Sequence, residues 1–312
     1  MNVPLALAAA AVALGWVWPR WMLRHQHGFD PRIAMVAWPC AQLLFVAGVI
    51  SAAVTLIIPG HATTFLSSLL GQCWDSLAHA TPAAGESLVG AVGATAVLAA
   101  AAGVAIQIVG RLHRQRCHRR RLSDTITLTG FRLPEYPDVW WLDDERPVAF
   151  CLPGRGARIA ASTGLWSSLT ARELTAVLAH ERAHSQHRHH MIIAWAESVG
   201  ATMALVPLFH RGARTVRGLS EQAADAAAAS RYGGATVASA LIKLANTPDR
   251  AEPPPHSLAA AHGSLACRLD RLNQRTPGSP ITGGVGVAAA TLLCVVGPAL
   301  AVTAALGLLT CS

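Results

Sequence analysis

Residues 170–184 read Thr-Ala-Arg-Glu-Leu-Thr-Ala-Val-Leu-Ala-His-Glu-Arg-Ala-His, and they predict a capped helix that carries chemically active side chains. Thr170 and Glu173 have the spacing of a capping box, in which a hydroxyl N-cap and a carboxylate three residues later each satisfy a backbone N–H group. The apolar residues that follow recur at helical spacing: Leu174, Val177 and Leu178. We therefore expect a helix that begins at about residue 171.

The end of this helix carries the HExxH pattern His180-Glu181-Arg182-Ala183-His184. Histidines four residues apart lie on one helix face, so both imidazoles can reach one metal ion at about 2.0–2.1 Å. One zinc ion per chain is expected, because imidazole suits zinc and hydrolysis needs no redox chemistry. Glu181 lies beside the open coordination position, where it can take a proton from the attacking water and pass it to the leaving amine. Either histidine alone would be interpreted as an ordinary solvated side chain, but the pair within a capped helix favours a metal.

A catalytic zinc ion needs a third protein ligand, and the segment Ser220–Asp225 offers one. Glu221 and Asp225 are four residues apart, and the surrounding residues are rich in alanine. This pattern predicts Glu221 as a metal ligand and Asp225 as a hydrogen-bond acceptor for the second nitrogen of a ligand histidine. The alternative is an ordinary exposed helix face with two acids.

The composition indicates a membrane protein. Of the 312 residues, 52% are hydrophobic and 13% are charged, whereas soluble proteins carry about 25% charged residues. Four segments without a charged residue are long enough to cross a bilayer: about 3–19, 33–58, 87–109 and 283–309. The first could be a cleaved signal peptide, but no basic residue precedes it, which favours a retained anchor.

The arginines predict the orientation of these spans. Arg20, Arg24 and Arg32 follow the first span, 59–86 contains no Lys or Arg, and the run at 111–121 follows the third span. We therefore expect a multi-pass protein of the cell membrane with both termini outside and residues 110–282 in the cytoplasm. The arginine run has no interleaved aromatic residues for base stacking, so it favours contact with the lipid bilayer over direct nucleic-acid binding.

The predicted fold is mainly α, with four transmembrane helices and a cytoplasmic α+β peptidase domain between spans three and four. The expected boundaries are 1–110 for a three-helix transmembrane region, 111–282 for the peptidase domain and 283–312 for the last span. Strands are expected at Thr125–Phe131, Val139–Leu142 and Pro147–Gly154, the last pairing with Arg158–Ser162 as a hairpin.

The segment 191–209 is nearly all apolar and could be a fifth span. A single crossing would place His184 and Glu221 on opposite sides of the membrane. We therefore expect 191–209 to continue the catalytic helix, either buried in the domain or lying in the membrane interface. His187, His189 and His190 follow the motif; a second metal site is one interpretation, and a solvated helix face is the favoured one.

Several stretches together resemble the gluzincin membrane peptidases, which include HtpX-like proteases, CAAX prenyl proteases and the BlaR/MecR antirepressor peptidases. These stretches are 149–154 (AFCLPG), 161–165 (ASTGL), 173–184 (ELTAVLAHERAH) and the pair Glu221 and Asp225. Three spans, an intracellular zinc domain and a final span look most like BlaR/MecR.

The resemblance implies that His180, His184 and Glu221 bind zinc and that Glu181 is the catalytic base. It also implies that a substrate adds as a β-strand to an edge formed by four residues: Phe150, Cys151, Leu152 and Pro153. Tyr232 and Arg231 are candidates for stabilising the oxyanion. Family members cleave a dimeric winged-helix repressor. Relatives that sense β-lactams have an extracellular domain after the last span, which this sequence lacks up to Ser312, so direct β-lactam sensing is not expected.

Three functions stay open at this point. The leading one is a regulated endopeptidase that cleaves a cytoplasmic repressor, with a homodimer as an open question. The second is an HtpX-like quality-control protease of membrane proteins. The third, from another class, is a non-catalytic membrane signalling scaffold; Glu181 argues against it, because a structural zinc site would have a fourth ligand and no need of this carboxylate.

Overall fold

The computed structural model describes residues 2–25, 28–57, 84–152, 158–247 and 265–273, and this part of the chain is mostly helical. The fourth predicted span, 283–309, lies outside these ranges. Helices α1 (Asn2–His25) and α2 (Pro31–Ile57) correspond to the first two predicted spans. Among the described residues, the windows 6–25 and 31–52 are long and apolar enough to cross a membrane, and less than half of each window is buried. Length and composition thus support two spans.

Helix α3 (Ala84–Thr129) contains the third predicted span and continues through the arginine run without a break. The predicted strand Thr125–Phe131 is therefore wrong over 125–129, which are helical. Leu122 and Ile126 lie one turn apart and pack together against the sheet, and this contact outweighs the β-propensity of the threonines. The threonine hydroxyls are accommodated because Thr125 and Thr129 donate to carbonyls four residues earlier.

Four strands follow: β1 (Phe131–Leu133), β2 (Tyr136–Leu142), β3 (Ala149–Leu152) and β4 (Arg158–Ser162). They form one sheet in the order β1-β2-β4-β3. β3 and β4 are antiparallel and β2 and β4 are parallel, which confirms the predicted strand at Val139–Leu142 and the predicted pairing of β3 with β4. β3 is an edge strand of this sheet, and Pro153 lies outside the described residues.

The sheet lies between two helices. Ile159 and Trp141 point to one face and are buried with Leu174 and Leu178 of the next long helix. Phe150 packs on the opposite face against α3. The edge strand therefore lies between α3 and the helix that carries the HExxH pattern.

After a short helix α4 (Thr163–Ser168), helix α5 (Ala171–Gln186) begins where it was predicted. Thr170 accepts from the backbone N–H of Glu173, and Glu173 accepts from the backbone N–H of Thr170, so the predicted capping box is confirmed. Arg182 then binds Asp138 of β2 with two hydrogen bonds of 2.6 and 2.9 Å. This pair fixes the rotation of α5 against the sheet.

The interpretation of 191–209 as a continuation of the catalytic helix is wrong. α5 ends at Gln186, Arg188 has a left-handed backbone with φ 51°, and the chain turns into α6 (His189–Thr202), α7 (Pro207–His210) and α8 (Gly212–Tyr232). The reversal lets the apolar face of α6 pack against α1 and α2 instead of extending beyond the domain. α6 and α8 thus form a helical hairpin.

Two further helices complete the described chain, α9 (Gly234–Ala245) and α10 (Leu265–Asn273). Ser239 and Lys243 of α9 bind the carboxylate of Glu173 at 2.6 and 2.8 Å, so α9 supports the start of α5. Arg271 of α10 donates to the carbonyl of Phe29 in the loop between α1 and α2.

Helices α1 and α2 share one hydrophobic core with α6, α7 and α8. Trp18 of α1 and Trp38 of α2 are fully buried in the same cluster as Ile193 of α6 and Phe209 of α7. Gly212 lets α8 approach α2 closely, since a Cβ there would lie 2.5 Å from Nε1 of Trp38. The expected boundary at 110/111 therefore does not coincide with a break in packing.

Replacing Gly164 with alanine is expected to destabilise the fold, because a Cβ there would lie 1.8 Å from the carbonyl oxygen of Glu145. The obstacle is backbone, so relief requires a main-chain shift that costs about 1–3 kcal/mol or more. The measurement is the midpoint of thermal unfolding in detergent. Gly218→Ala is the control, because its Cβ would meet open space in α8 and alanine gains about 1 kcal/mol of helix propensity. Equal midpoints for Gly164→Ala and the wild type would contradict this packing.

Candidate active site

The structure brings His180, His184 and Glu221 together in the interior, and their potential ligand atoms lie within 4.8 Å of one another. The two Nε2 atoms are 3.1 Å apart, and Glu221 oxygens lie 3.5 Å from Nε2 of His180 and 3.4 Å from Nε2 of His184. Ligands bound tetrahedrally at about 2.1 Å from one zinc ion would be separated by about 3.4 Å. The two imidazoles and the carboxylate therefore lie at separations close to those of ligands around one zinc ion.

Asp225 orients the first histidine of this group. Nδ1 of His180 lies 2.9 Å from Oδ1 of Asp225, and the carboxylate can only accept, so Nδ1 carries the proton. The other nitrogen, Nε2, then presents its lone pair towards His184 and Glu221. This is the arrangement in which a carboxylate fixes the tautomer of a metal-binding histidine.

Arg268 of α10 reaches the same cluster and was not anticipated from the sequence. Its Nε and Nη2 each lie 2.6 Å from an oxygen of Asp225, and its Nη1 lies 3.4 Å from Oε2 of Glu221. The guanidinium offsets part of the negative charge of this carboxylate pair and holds Asp225 in place. Chemical reasoning could have indicated such a residue, because a buried carboxylate that accepts from a histidine through one oxygen needs a further hydrogen-bond donor for the other oxygen.

The excess negative charge of the cluster favours the binding of a divalent cation. Glu181, Glu221 and Asp225 are buried carboxylates, and the guanidinium of Arg268 contacts Glu221 and Asp225. With these groups ionised and both imidazoles neutral, the cluster carries two negative charges in excess. Uncompensated charge is costly in a protein interior, and one Zn²⁺ would neutralise this excess.

The pKa shifts reflect the same imbalance. Burial by itself disfavours the charged ring of His180, but Asp225 and Glu221 outweigh burial and raise the pKa of His180 to about 10. Burial also opposes ionisation of Glu221, yet the charge of His184 and the hydrogen bond from His180 hold its pKa well below the ordinary value. The carboxylates thus attract positive charge to Nε2, whether a proton or a metal ion supplies it.

Glu181 is buried beside the two histidines, and its Oε2 has no hydrogen-bond partner among the described residues. Burial raises the pKa of Glu181, and the neighbouring histidines oppose this shift. A carboxylate with an unpartnered oxygen and a pKa raised above its ordinary value is suited to accept and release a proton during a reaction.

His189 lies directly behind His184, and the favoured interpretation of the three following histidines as a solvated face is wrong for this residue. It is fully buried, and its Nδ1 is 2.9 Å from Nδ1 of His184. Burial, assisted by the charge of His184, lowers the pKa of His189 to about 3. A neutral His189 can accept from Nδ1–H of His184 and leave Nε2 of His184 facing the cluster. The turn at Arg188 places it there, which helical spacing alone could not predict.

The remaining predicted site residues lie around this centre. Phe150, Cys151 and Leu152 are buried in the edge strand β3, which packs against α5. Tyr232 packs in the alanine-rich contact between α5 and α8, and its carbonyl accepts from Arg172. Arg231 lines a cavity of about 140 Å³ with Arg32 and His187. The described contacts of Tyr232 and Arg231 thus do not include the histidine–glutamate group.

Known proteins with similar sequences bear on this site. Residues 112–213 match Peptidase family M48, a segment that contains both histidines and Glu181 and ends before Glu221. A protease HtpX homolog of Ralstonia pickettii is 44% identical over 71 residues, 22% of this chain and 23% of that protein. Homologs from Burkholderia mallei and Paraburkholderia phytofirmans are 30% and 28% identical over 152 and 169 residues, 46% and 52% of this chain and 52% and 57% of those proteins.

These matches span less than two thirds of each relative's length. No solved structure matches the chain. The chain is thus similar to peptidases over part of its length, and two of its described helices are apolar enough to cross a membrane.

Proposed function

We propose that this chain is a membrane zinc endopeptidase in which His180, His184 and Glu221 hold one zinc ion and Glu181 is the catalytic base. The observation that carries the proposal is the convergence of three ligand atoms at zinc-like separations within a cluster that has two negative charges in excess. When bound, zinc supplies the Lewis acidity that activates water and polarises a peptide carbonyl.

The residues of the chain divide the remaining work. Glu181 takes the proton of the attacking water and delivers it to the leaving amine, since its unpartnered oxygen is available for this exchange. Asp225 and His189 hold the ligand histidines in the tautomers that direct Nε2 inward. Arg268 of α10 binds Asp225 and Glu221 of α8 and holds both carboxylates in place.

We further propose that a peptide substrate pairs with the edge of β3. β3 is paired with β4 on one side and packs beside α5, so an extended peptide added at its other side would run along the helix that carries Glu181. Backbone pairing of this kind binds many sequences, because the main chain supplies the hydrogen bonds.

The similarities favour an HtpX-like role, with membrane proteins as substrates, over cleavage of a winged-helix repressor, because the relatives named above are HtpX homologs. The role of a non-catalytic scaffold is disfavoured, because burying Glu181 without a hydrogen bond at Oε2 costs stability. We place the protein in the cell membrane with the arginine-rich ends of α1 and α3 in the cytoplasm.

Comparing protein N-termini in cells that express the wild type with cells that express Glu181→Gln tests this function. We expect the wild type to generate new N-termini in many membrane proteins and the variant to generate none. A single cleaved cytoplasmic repressor would favour the BlaR/MecR-like role instead. Identical N-termini in both strains would contradict an endopeptidase.

A further inference from the structure

The hairpin formed by α6 and α8 has an apolar tip, residues 203–206, in the turn that follows α6. Leu205 lies in the turn between α6 and α7, and 94% of its surface is exposed. Its neighbours Ala204 and Val206 are also apolar, and neither is buried. Moving an exposed leucine side chain from water into lipid is favourable, because its apolar surface is removed from water.

The tip lies beside the parts of α1 and α2 that would be inside a membrane. A Cβ on Gly15 of α1 would be 3.1 Å from Val206, and the rings of Phe45 in α2 and Phe209 pack edge to face at 5.2 Å. At about 1.5 Å per residue, Gly15 is about 15 Å from the end of α1, and Phe45 is about 21 Å from the start of α2. The tip therefore reaches past the arginine-bearing ends of both helices.

Part of the backbone around the tip is hydrogen-bonded, and such pairing lowers the cost of entering a low-dielectric surrounding, in which unpaired polar groups are costly. The carbonyl of Leu208 accepts from Nε1 of Trp38 and from Nε2 of Gln42, both buried side chains of α2. The amide oxygen of Gln42 accepts a hydrogen bond from Nε1 of Trp195 in α6. Within the turn, the backbone N–H of Val206 donates to the carbonyl of Met203.

The charges around the tip are arranged as at a membrane surface. Between 198 and 209 there is no ionisable residue, whereas His210, Arg211 and Arg214 follow directly and are exposed. Basic side chains at the edge of an apolar insertion can reach lipid phosphates while the apolar part stays in the acyl region.

From this geometry we infer that the tip of the α6–α8 hairpin, residues 203–206, inserts into the bilayer leaflet on the arginine side of α1 and α2, where Leu205 contacts lipid acyl chains. The hairpin enters and leaves through the same leaflet. The inference rests on the proposed membrane placement of α1 and α2, but it does not depend on peptidase activity.

Three exposed leucines provide a matched test. A fluorescent amino acid is introduced by codon suppression at Leu205, at Leu43 on α2, or at Leu128 near the end of α3, which are 94%, 55% and 86% exposed. The whole chain is reconstituted in vesicles with brominated acyl chains, and quenching by these lipids is compared with quenching by aqueous iodide. We expect probes at 205 and 43 to lose most of their emission to the brominated lipid, and the probe at 128 to lose its emission only to iodide.

The outcomes separate the inference from its premise. If the probe at 205 responds to iodide as the probe at 128 does, while the probe at 43 responds to the lipid, tip insertion is refuted and the spans stand. If the probe at 205 is shielded from both quenchers, protein covers the tip and lipid contact is refuted. If the probe at 43 also responds to iodide alone, the membrane placement of α2 fails, and the inference fails with it.

Discussion

Glu181→Gln is expected to lower the rate of peptide cleavage by about 10²–10⁴-fold while the protein keeps its zinc, because the amide cannot accept the proton of the attacking water. Glutamine has nearly the same size, and Oε2 of Glu181 makes no hydrogen bond that the fold would lose. The measurements are the cleavage of an unfolded protein substrate by purified enzyme in detergent and the zinc content of the same sample.

A control is Glu197→Gln, which neutralises a partly buried carboxylate whose described partners are Gln115 and Arg217 and not the histidines. It should leave turnover near that of the wild type. If Glu181→Gln cleaved at the wild-type rate with zinc bound, Glu181 would not be the base. If it lost zinc, its role would be structural.

Glu221→Gln is expected to weaken zinc binding by more than the 10–100-fold that is typical for loss of an outer partner of a metal ligand. The substitution removes an anionic ligand and leaves two imidazoles, which is too few for a tetrahedral site. Zinc affinity can be measured by competition with a chromophoric chelator, independently of any cleavage assay.

Asp225→Asn supplies the comparison within the same helix. It should weaken zinc binding by about 10–100-fold, because it disturbs the orientation of His180 without removing a ligand. The order of the two variants is the decisive result. An affinity in Glu221→Gln that equals or exceeds that of Asp225→Asn would show that Glu221 is not a ligand.

Local sequence patterns were sufficient for the elements that depend on neighbours in the chain. The capping box at Thr170 and Glu173 predicts the start of α5, because both partners lie within one turn. The antiparallel pairing of β3 with β4 follows from two short apolar runs separated by turn residues. The spacing of His180 and His184 likewise predicts their common face.

The features that the sequence did not reveal depend on contacts between distant segments. Thr125–Thr129 has the β-branched composition of a strand, but it is helical because Ile126 packs against β3. Arg268 reaches Asp225 across 43 positions of the chain, a separation at which spacing carries no information. The left-handed residue Arg188 belongs to a type that rarely adopts this conformation, so the turn between α5 and α6 had no local signal.

The contacts of α2 with the α6–α8 hairpin connect the proposed membrane helices to Glu221. Trp38 and Gln42 hold the carbonyl of Leu208, and α8 starts against the same two side chains at Gly212. Nine residues later, about 14 Å along the same rigid helix, comes Glu221. Helices that span a bilayer tilt to match its thickness. With α1 and α2 placed in the bilayer as proposed, a change of membrane thickness would displace the Glu221 carboxylate relative to the imidazoles of His180 and His184, and lipid composition would then affect how well the three proposed ligands meet.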